Sequence, residues 1–182
     1  MYKIRYFVNS NILINIYYAL AYPFLLYGIN ISGFASDYLL NSLYILQKRI
    51  VCMITFKDKL PLCLGPLAHS TPLFYELKFL NVYDIFKLQL GKFVFESHHD
   101  IGPNQFHDFY THVSEIHNIS TRYATSGKFY VNFARTTQYG LKSIKNAGTK
   151  LWSTLPIKIK NSTSSKLFCK QYKLFLIECY KD

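Results

Sequence analysis

Ten carboxylates, six histidines and twenty-one lysines and arginines are the groups that could do chemistry in this 182-residue chain. Metal-assisted nucleotidyl transfer requires carboxylates that converge on divalent cations, and the acids here are scattered with no two adjacent. No catalytic residue is therefore assigned, and the chain taken alone is expected not to be an enzyme. His98, His99, His107, His112 and His117 gather in one stretch. Spacings of five turn side chains about 140° apart on a helix, unlike a one-faced pair of zinc ligands, and no cysteine lies nearby. They are read as solvated or loop-packing side chains, with no metal and no cofactor expected. No serine sits in a G-x-S-x-G elbow, and neither G-x-G-x-x-G nor G-x-x-x-x-G-K-[ST] occurs. Nucleophilic hydrolysis and nucleotide cradling are thus unsupported.

What remains is cations interleaved with rings. Lys48, Arg49, Arg122, Arg135, Lys142, Lys145, Lys150, Lys158 and Lys160 are the candidate nucleic-acid-binding residues, since Lys and Arg neutralise phosphates without reading sequence. Trp152 beside them is either a ring on which an unpaired base stacks or a core anchor next to Leu151 and Leu155; the core reading is favoured. Residues 1–60 carry six Lys/Arg against two acids, residues 61–139 six against six, and residues 140–182 nine against two. The basic field therefore sits at both ends and favours polyanions. An alternative origin for the charge is AT-rich coding, which would enrich Lys together with Ile, Asn, Tyr and Phe.

The elements that must position these residues read as helices. Tyr6 to Ser36 contains no charged residue and follows Lys3 and Arg5, the pattern of a membrane anchor. Four asparagines and Pro23 argue against that anchor and for a buried helix kinked or restarted at the proline. Ser36 caps a helix to about Thr55, with Leu39, Leu43, Leu46, Ile50 and Met53 as its packing stripe and Lys48 and Arg49 facing away. Residues 56–71 form a loop. Thr71-Pro72 opens a helix to about Phe79, and Asn81 with Asp84 caps the next, whose apolar face is Val82, Ile85, Phe86, Leu90, Phe93 and Val94. Gly91 within it marks a close helix approach.

Ser97 to Ser126 is mostly loop. Lys128–Phe133 and Leu141–Lys145 pair as a small β-hairpin, a short helix over Lys150–Leu155 stops at Pro156, and Ser164 or Ser165 caps the last helix. That helix packs Phe168, Tyr172, Phe175, Leu176 and Cys179 and turns Lys166, Lys170 and Lys173 outward. The four cysteines, Cys52, Cys63, Cys169 and Cys179, lack disulfide-like spacing and read as thiols in a reducing compartment. Half of the residues are hydrophobic and 18% aromatic, so a buried core is expected, together with a face that leans on something else. The fold class is mainly α, a helical bundle with a small β-hairpin near 128–145 and a basic amphipathic C-terminal helix. Three regions are expected: helices over 1–60, helices and loop over 61–126, and a basic region over 127–182.

Several blocks resemble, in order, the C-terminal part of the polymerase encoded by jockey-like LINE elements, which are non-LTR retrotransposons. Tyr17-Tyr18-Ala19-Leu20-Ala21-Tyr22-Pro23-Phe24-Leu25-Leu26-Tyr27-Gly28-Ile29 resembles the thumb helix of that family, and Leu46-Gln47-Lys48-Arg49-Ile50-Val51 the helix after it. Thr71 to Lys78, Asp84 to Phe93, Ile116 to Ala124 and Ala134-Arg135-Thr136 resemble further blocks, and Gly148-Thr149-Lys150-Leu151-Trp152 opens a G-x-K-L-W-N-x-L-P signature. Ser32-Gly33 stands where the family has Trp-Gly, and Thr149 where it has Pro.

The resemblance implies a thumb-like bundle and basic tail of an RNA-directed DNA polymerase. The fingers and palm, with the catalytic aspartates and their Mg, would then lie upstream of Met1 in a longer protein. It implies non-specific grip on RNA or an RNA/DNA hybrid, the palm as a further partner, and a cytoplasmic and nuclear location. By the same resemblance Lys48, Arg49 and the basic tail contact nucleic acid. The alternatives are a small membrane-associated protein anchored by residues 6–36 and an inert relic of the element.

Overall fold

The computed structural model describes residues 3–34, 36–56, 71–116, 128–131, 133 and 135–181. The chain divides into two compact units, the first Met1–Phe86 with Lys173–Asp182 and the second Lys87–Tyr172. The molecule is mainly helical, and among the described residues no strand forms. The region boundaries expected near 60 and 126, the loop over 57–70 and the resemblance block at 117–124 lie outside the described residues.

In the first unit Asn9 caps α1 (Ser10–Ile16), its side chain accepting from the Asn11 N–H. A π turn over Tyr17–Ala21 follows, and α2 (Tyr22–Leu26) carries Pro23 in its first turn. The cause is local. Pro23 has no N–H to give the carbonyl four residues back, and the ladder shifts to a wider bond in which the Tyr22 N–H reaches the Tyr17 carbonyl. The helix thus restarts at the proline, as the sequence implied, but only Leu13, Tyr17 and Ile29 of this region are buried, while Phe24, Tyr27 and Ile31 are exposed. Gly28, at φ 62°, supplies the left-handed link to α3 (Ile29–Ser32). Among the described residues no helix is long and apolar enough to cross a membrane.

The longest helix of the unit, α4 (Asp37–Ile54), begins after Ser36, whose backbone is extended as a cap requires although its hydroxyl makes no capping bond. Its buried residues are Leu40, Gln47, Lys48, Val51, Cys52 and Ile54. The stripe expected to pack is overturned at Leu39, Leu43 and Leu46, which are 55%, 38% and 54% exposed, whereas Ile50 packs half-buried against the core and Met53 is half-buried. Lys48, expected outside, is only 8% exposed and lies 5.3 Å from the centre of the Tyr44 ring. Polar residues fixed the rotation of the helix. Gln47 turns inward because its amide donates to the Tyr17 hydroxyl at 3.0 Å and to the Leu80 carbonyl at 2.8 Å. Val51, Cys52 and Ile54 then join Leu13, Tyr17, Leu73, Phe74 and Phe79 in the core. Burial pushes the Tyr17 pKa up to about 12. Cys52 is disulfide-bonded, which corrects the expectation of four thiols; Cys169 and Cys179 are free.

Helix α5 (Thr71–Leu77) ends at Lys78, which adopts φ 54° while the Phe79 N–H bonds back to the Phe74 carbonyl at 2.9 Å. Asn81 and Asp84 form the expected capping pair: the Asp84 N–H donates to Asn81 Oδ1 at 2.9 Å and the Asn81 amide to Asp84 Oδ2 at 2.8 Å. They open α6 (Val82–His98), whose buried side includes Val82, Ile85, Leu90 and Val94 as predicted, with Phe86 and Phe93 half-buried. The Tyr180 hydroxyl donates to Asp84 Oδ2 at 2.5 Å and accepts from the Asn81 N–H at 3.2 Å. Burial, and then that carboxylate, push the Tyr180 pKa upward.

The second unit takes α6 from Lys87 onward, a 3₁₀ turn at Asn104–Phe109, α7 (Val113–Ile116), a π turn at Thr137–Leu141, α8 (Ile144–Thr154), α9 (Ile157–Lys160) and α10 (Ser165–Glu178) as far as Tyr172. The expected hairpin is overturned. Among the described residues only an isolated antiparallel bridge between His112 and Phe129 forms, and Leu141–Lys145 is taken by the end of the π turn and the start of α8. The capping bond of Ser143 to the Asn146 N–H, which starts a helix there, outweighs the β-branched residue beside it. Gly91 does mark a close approach: a Cβ there would lie 2.8 Å from the Tyr172 ring. In α10, capped by Ser164, Phe168, Tyr172 and Leu176 are buried and Phe175 is half-buried, while Cys179 lies beyond the helix and is exposed. Lys166 and Lys170 face outward, but Lys173, assigned to the first unit, is half-buried over the Tyr18 ring at 5.7 Å, which corrects its expected exposure.

Candidate nucleic-acid interface

The second unit concentrates the charge: twelve Lys/Arg against four Asp/Glu over Lys87–Tyr172, compared with nine against six in the rest of the chain. Three segments bring part of that charge to one cleft. The His112–Phe129 bridge, with the Val113 N–H bonded to the Lys128 carbonyl at 3.1 Å and the Tyr130 N–H to the Thr111 carbonyl at 2.9 Å, fixes residues 128–131. Helix α8 brings Thr149, Lys150, Trp152 and Ser153. It is started by Ser143, whose hydroxyl also donates to the Gly140 carbonyl at 2.7 Å, and it ends at Leu155, extended at ψ 139° ahead of Pro156. Short α9 then delivers Lys160.

Lys128, Phe129, Val131, Thr149, Lys150, Trp152, Ser153 and Lys160 line the resulting cavity of about 130 Å³. Its floor is aromatic. Trp152 is 5% exposed, with Phe168 stacked at 6.1 Å, Phe129 tilted at 5.7 Å and His98 edge-on at 6.1 Å. The core reading of Trp152 therefore holds. The walls are cationic, and no described residue lining the cavity is acidic. The Lys160 ammonium lies 5.8 Å from the centre of the Trp152 ring, and burial, then the charge of Lys128, hold its pKa below the ordinary lysine value.

The nine residues expected to bind nucleic acid are thus only partly brought together. Lys150 and Lys160 line the cleft. Lys145 sits over the Phe109 ring at 5.8 Å, Lys142 is half-buried, and Lys158 and Arg135 are exposed outside the cleft lining. Lys48 and the exposed Arg49 belong to the first unit, and Arg122 lies outside the described residues. Sequence reasoning missed Lys128, whose signal was its place directly before a ring, Phe129, in a stretch read as a strand. The histidines gather partly: His98 and His112 lie ring to ring at 5.0 Å, and both contact Phe129. Among the described residues no group of three His, Cys, Asp or Glu is placed to hold a metal ion, and His117 lies outside them. Comparison with protein-family models, with curated proteins and with solved structures finds no match.

Proposed function

We propose that this chain is the thumb and tail of an RNA-directed DNA polymerase of the non-LTR retrotransposon type, and that it grips RNA or an RNA/DNA hybrid through the nucleic-acid backbone. The observation that supports the grip is the convergence of Lys128, Lys150 and Lys160 on one cleft lined by no acidic residue among those described, within a unit where Lys and Arg outnumber acids twelve to four. The order of the sequence blocks from Tyr17 to Pro156 supports the polymerase assignment. On this reading the bond-forming carboxylates and their Mg belong to a palm outside these 182 residues, and this chain supplies position and charge.

The mechanism is electrostatic. Each lysine that meets a phosphate releases condensed counterions, so three such contacts make log affinity fall with log salt at a slope of about −2 to −3. The test is fluorescence anisotropy of the purified chain with an RNA/DNA hybrid of about 20 base pairs across a salt series. A steep linear fall supports the grip, and an affinity that stays flat or absent defeats it. The polymerase assignment is tested by sequencing the transcript upstream of the Met1 codon. An open frame encoding a palm with adjacent aspartates supports it, and stops or frameshifts point to a relic.

A further inference from the structure

Phe129, 1% exposed, packs among the rings of His112 at 4.8 Å, His98 at 5.1 Å, Tyr110 at 5.5 Å and Trp152 at 5.7 Å, and two of these are imidazoles. The backbone adds an isolated bridge with two bonds, the Val113 N–H to the Lys128 carbonyl and the Tyr130 N–H to the Thr111 carbonyl. A contact that short is marginal in water by itself. Residues 128–131 are therefore held down chiefly by the Phe129 ring, and its seat depends on His98 and His112.

His98 ends α6 and is half-buried, with the His112 ring at 5.0 Å, the His99 ring at 4.9 Å and the Trp152 ring edge-on at 6.1 Å. His99 and Asp100 act on it from its own end of the helix, and His112 and Glu115 from α7 and the residue before it. The other segments of the cleft bring only cations, Lys128, Lys150 and Lys160. Its place at the C-terminal end of a helix favours a positive ring, and so do Asp100 and Glu115. Asp100 is shared with His107, 3.4 Å away. Burial and the two imidazoles beside it outweigh these attractions and hold the His98 pKa below the ordinary 6.5. Trp152 offers little relief, since the Lys160 ammonium already lies 5.8 Å from the centre of its ring.

The closed arrangement thus binds a proton at His98 less readily than one in which that ring reaches water. The advantage of the closed form is complete above 6.5 and is lost as the pH falls through that value toward the lower one of the closed form. Two imidazolium rings 5.0 Å apart in a half-buried wall would also repel.

We propose that residues 128–131 are a pH-operated strap: with His98 and His112 neutral it lies closed over Trp152 through Phe129, and with both rings protonated it lets go while α6 and α8 stay folded. The strap does not depend on the nucleic-acid reading, because its parts are rings and backbone bonds of the chain alone.

The experiment follows amide hydrogen exchange by NMR in the intact chain, without nucleic acid, across a series from about pH 7.5 to pH 5, with rates taken relative to those of an unstructured peptide at each pH. Val113 and Tyr130 report the two bonds of the bridge, and Val94, 0% exposed in α6, reports unfolding of the unit. The expected result is protection at Val113 and Tyr130 that lies below that of Val94 at every pH and falls at least about tenfold over the series, while Val94 is still protected at pH 5. In His98→Phe and in His112→Phe, each of which keeps a ring against Phe129 but takes no proton, the fall should shrink to less than about threefold.

Protection at Val113 and Tyr130 that does not change with pH in the wild type overturns the strap without recourse to any variant. Protection equal to that of Val94 overturns it as well, since exchange then runs through unfolding of the whole unit. A full fall that persists in both phenylalanine variants assigns the pH dependence to another group and overturns it too.

Discussion

Lys78 holds a backbone conformation that L side chains rarely adopt, φ 54°, because it closes α5 where glycine usually stands. The Lys78 N–H reaches the Tyr75 carbonyl at 3.1 Å and that of Phe79 the Phe74 carbonyl, so the turn is fixed by its bonds rather than by its residue. Replacing Lys78 with Gly should raise stability by about 1 kcal/mol, measured by urea denaturation; an unchanged or lower midpoint would mean that the strain is already relieved elsewhere. His98 gives a pH dependence. Its pKa is held below the ordinary 6.5 first by burial and then by His112 and His99, with Glu115 and Asp100 opposing. The folded chain therefore takes up this proton less readily than the unfolded chain. Stability present above 6.5 is lost as the pH falls through that value toward the lower folded one. Between about pH 7.5 and pH 5 the Tm of the wild type should drop further than that of His98→Phe, which keeps a ring against Phe129 and Trp152. Equal drops would remove His98 from the account.

At the level of elements, α4 tests which face is core. Leu39→Glu and Leu46→Glu should each change stability by less than about 0.5 kcal/mol because both positions are exposed, while Val51→Ala should cost about 2 kcal/mol. The reverse ranking would restore the stripe that the sequence suggested. In the second unit α8 packs closely at Gly148, where a Cβ would meet the Tyr110 hydroxyl and lie 2.8 Å from Val94 Cγ2. Gly148→Ala should cost about 1–3 kcal/mol by overpacking, seen as a lower thermal midpoint. Local signals wrote several helix ends legibly, Asn81 with Asp84, Ser164 and the stop at Pro156, whereas the cap at Ser143 was hidden in a segment that read as a strand. Helix rotation was not legible in α4, because apolar residues occur on more than one face and the choice was made by Gln47 reaching Tyr17 and Leu80, 30 and 33 residues away. The cleft was half legible for the same reason. Lys150 and Lys160 announce themselves by charge next to Trp152, but Lys128 joins them only through the bridge of Phe129 to His112.

Across the whole molecule positive charge is unequally divided between the units. The larger excess of Lys and Arg lies in the second unit, and both units expose large apolar side chains, Phe24, Tyr27 and Ile31 in the first and Phe133 and Ile157 in the second. Removing a cation should therefore matter by address: Arg49→Ala should weaken RNA binding by less than about twofold and Lys150→Ala by about three- to tenfold at low salt. Equal losses would place the interface across the chain rather than in the cleft. The first unit is also discontinuous, since Asn81 and Asp84 hold Tyr180 across almost a hundred residues of chain. During synthesis the first 86 residues leave the ribosome without the segment that completes them, and the entire second unit must be translated before it arrives. At roughly 5–20 residues per second that wait lasts about 4–17 s, during which Asn81 and Asp84 lack the Tyr180 hydroxyl that later joins them.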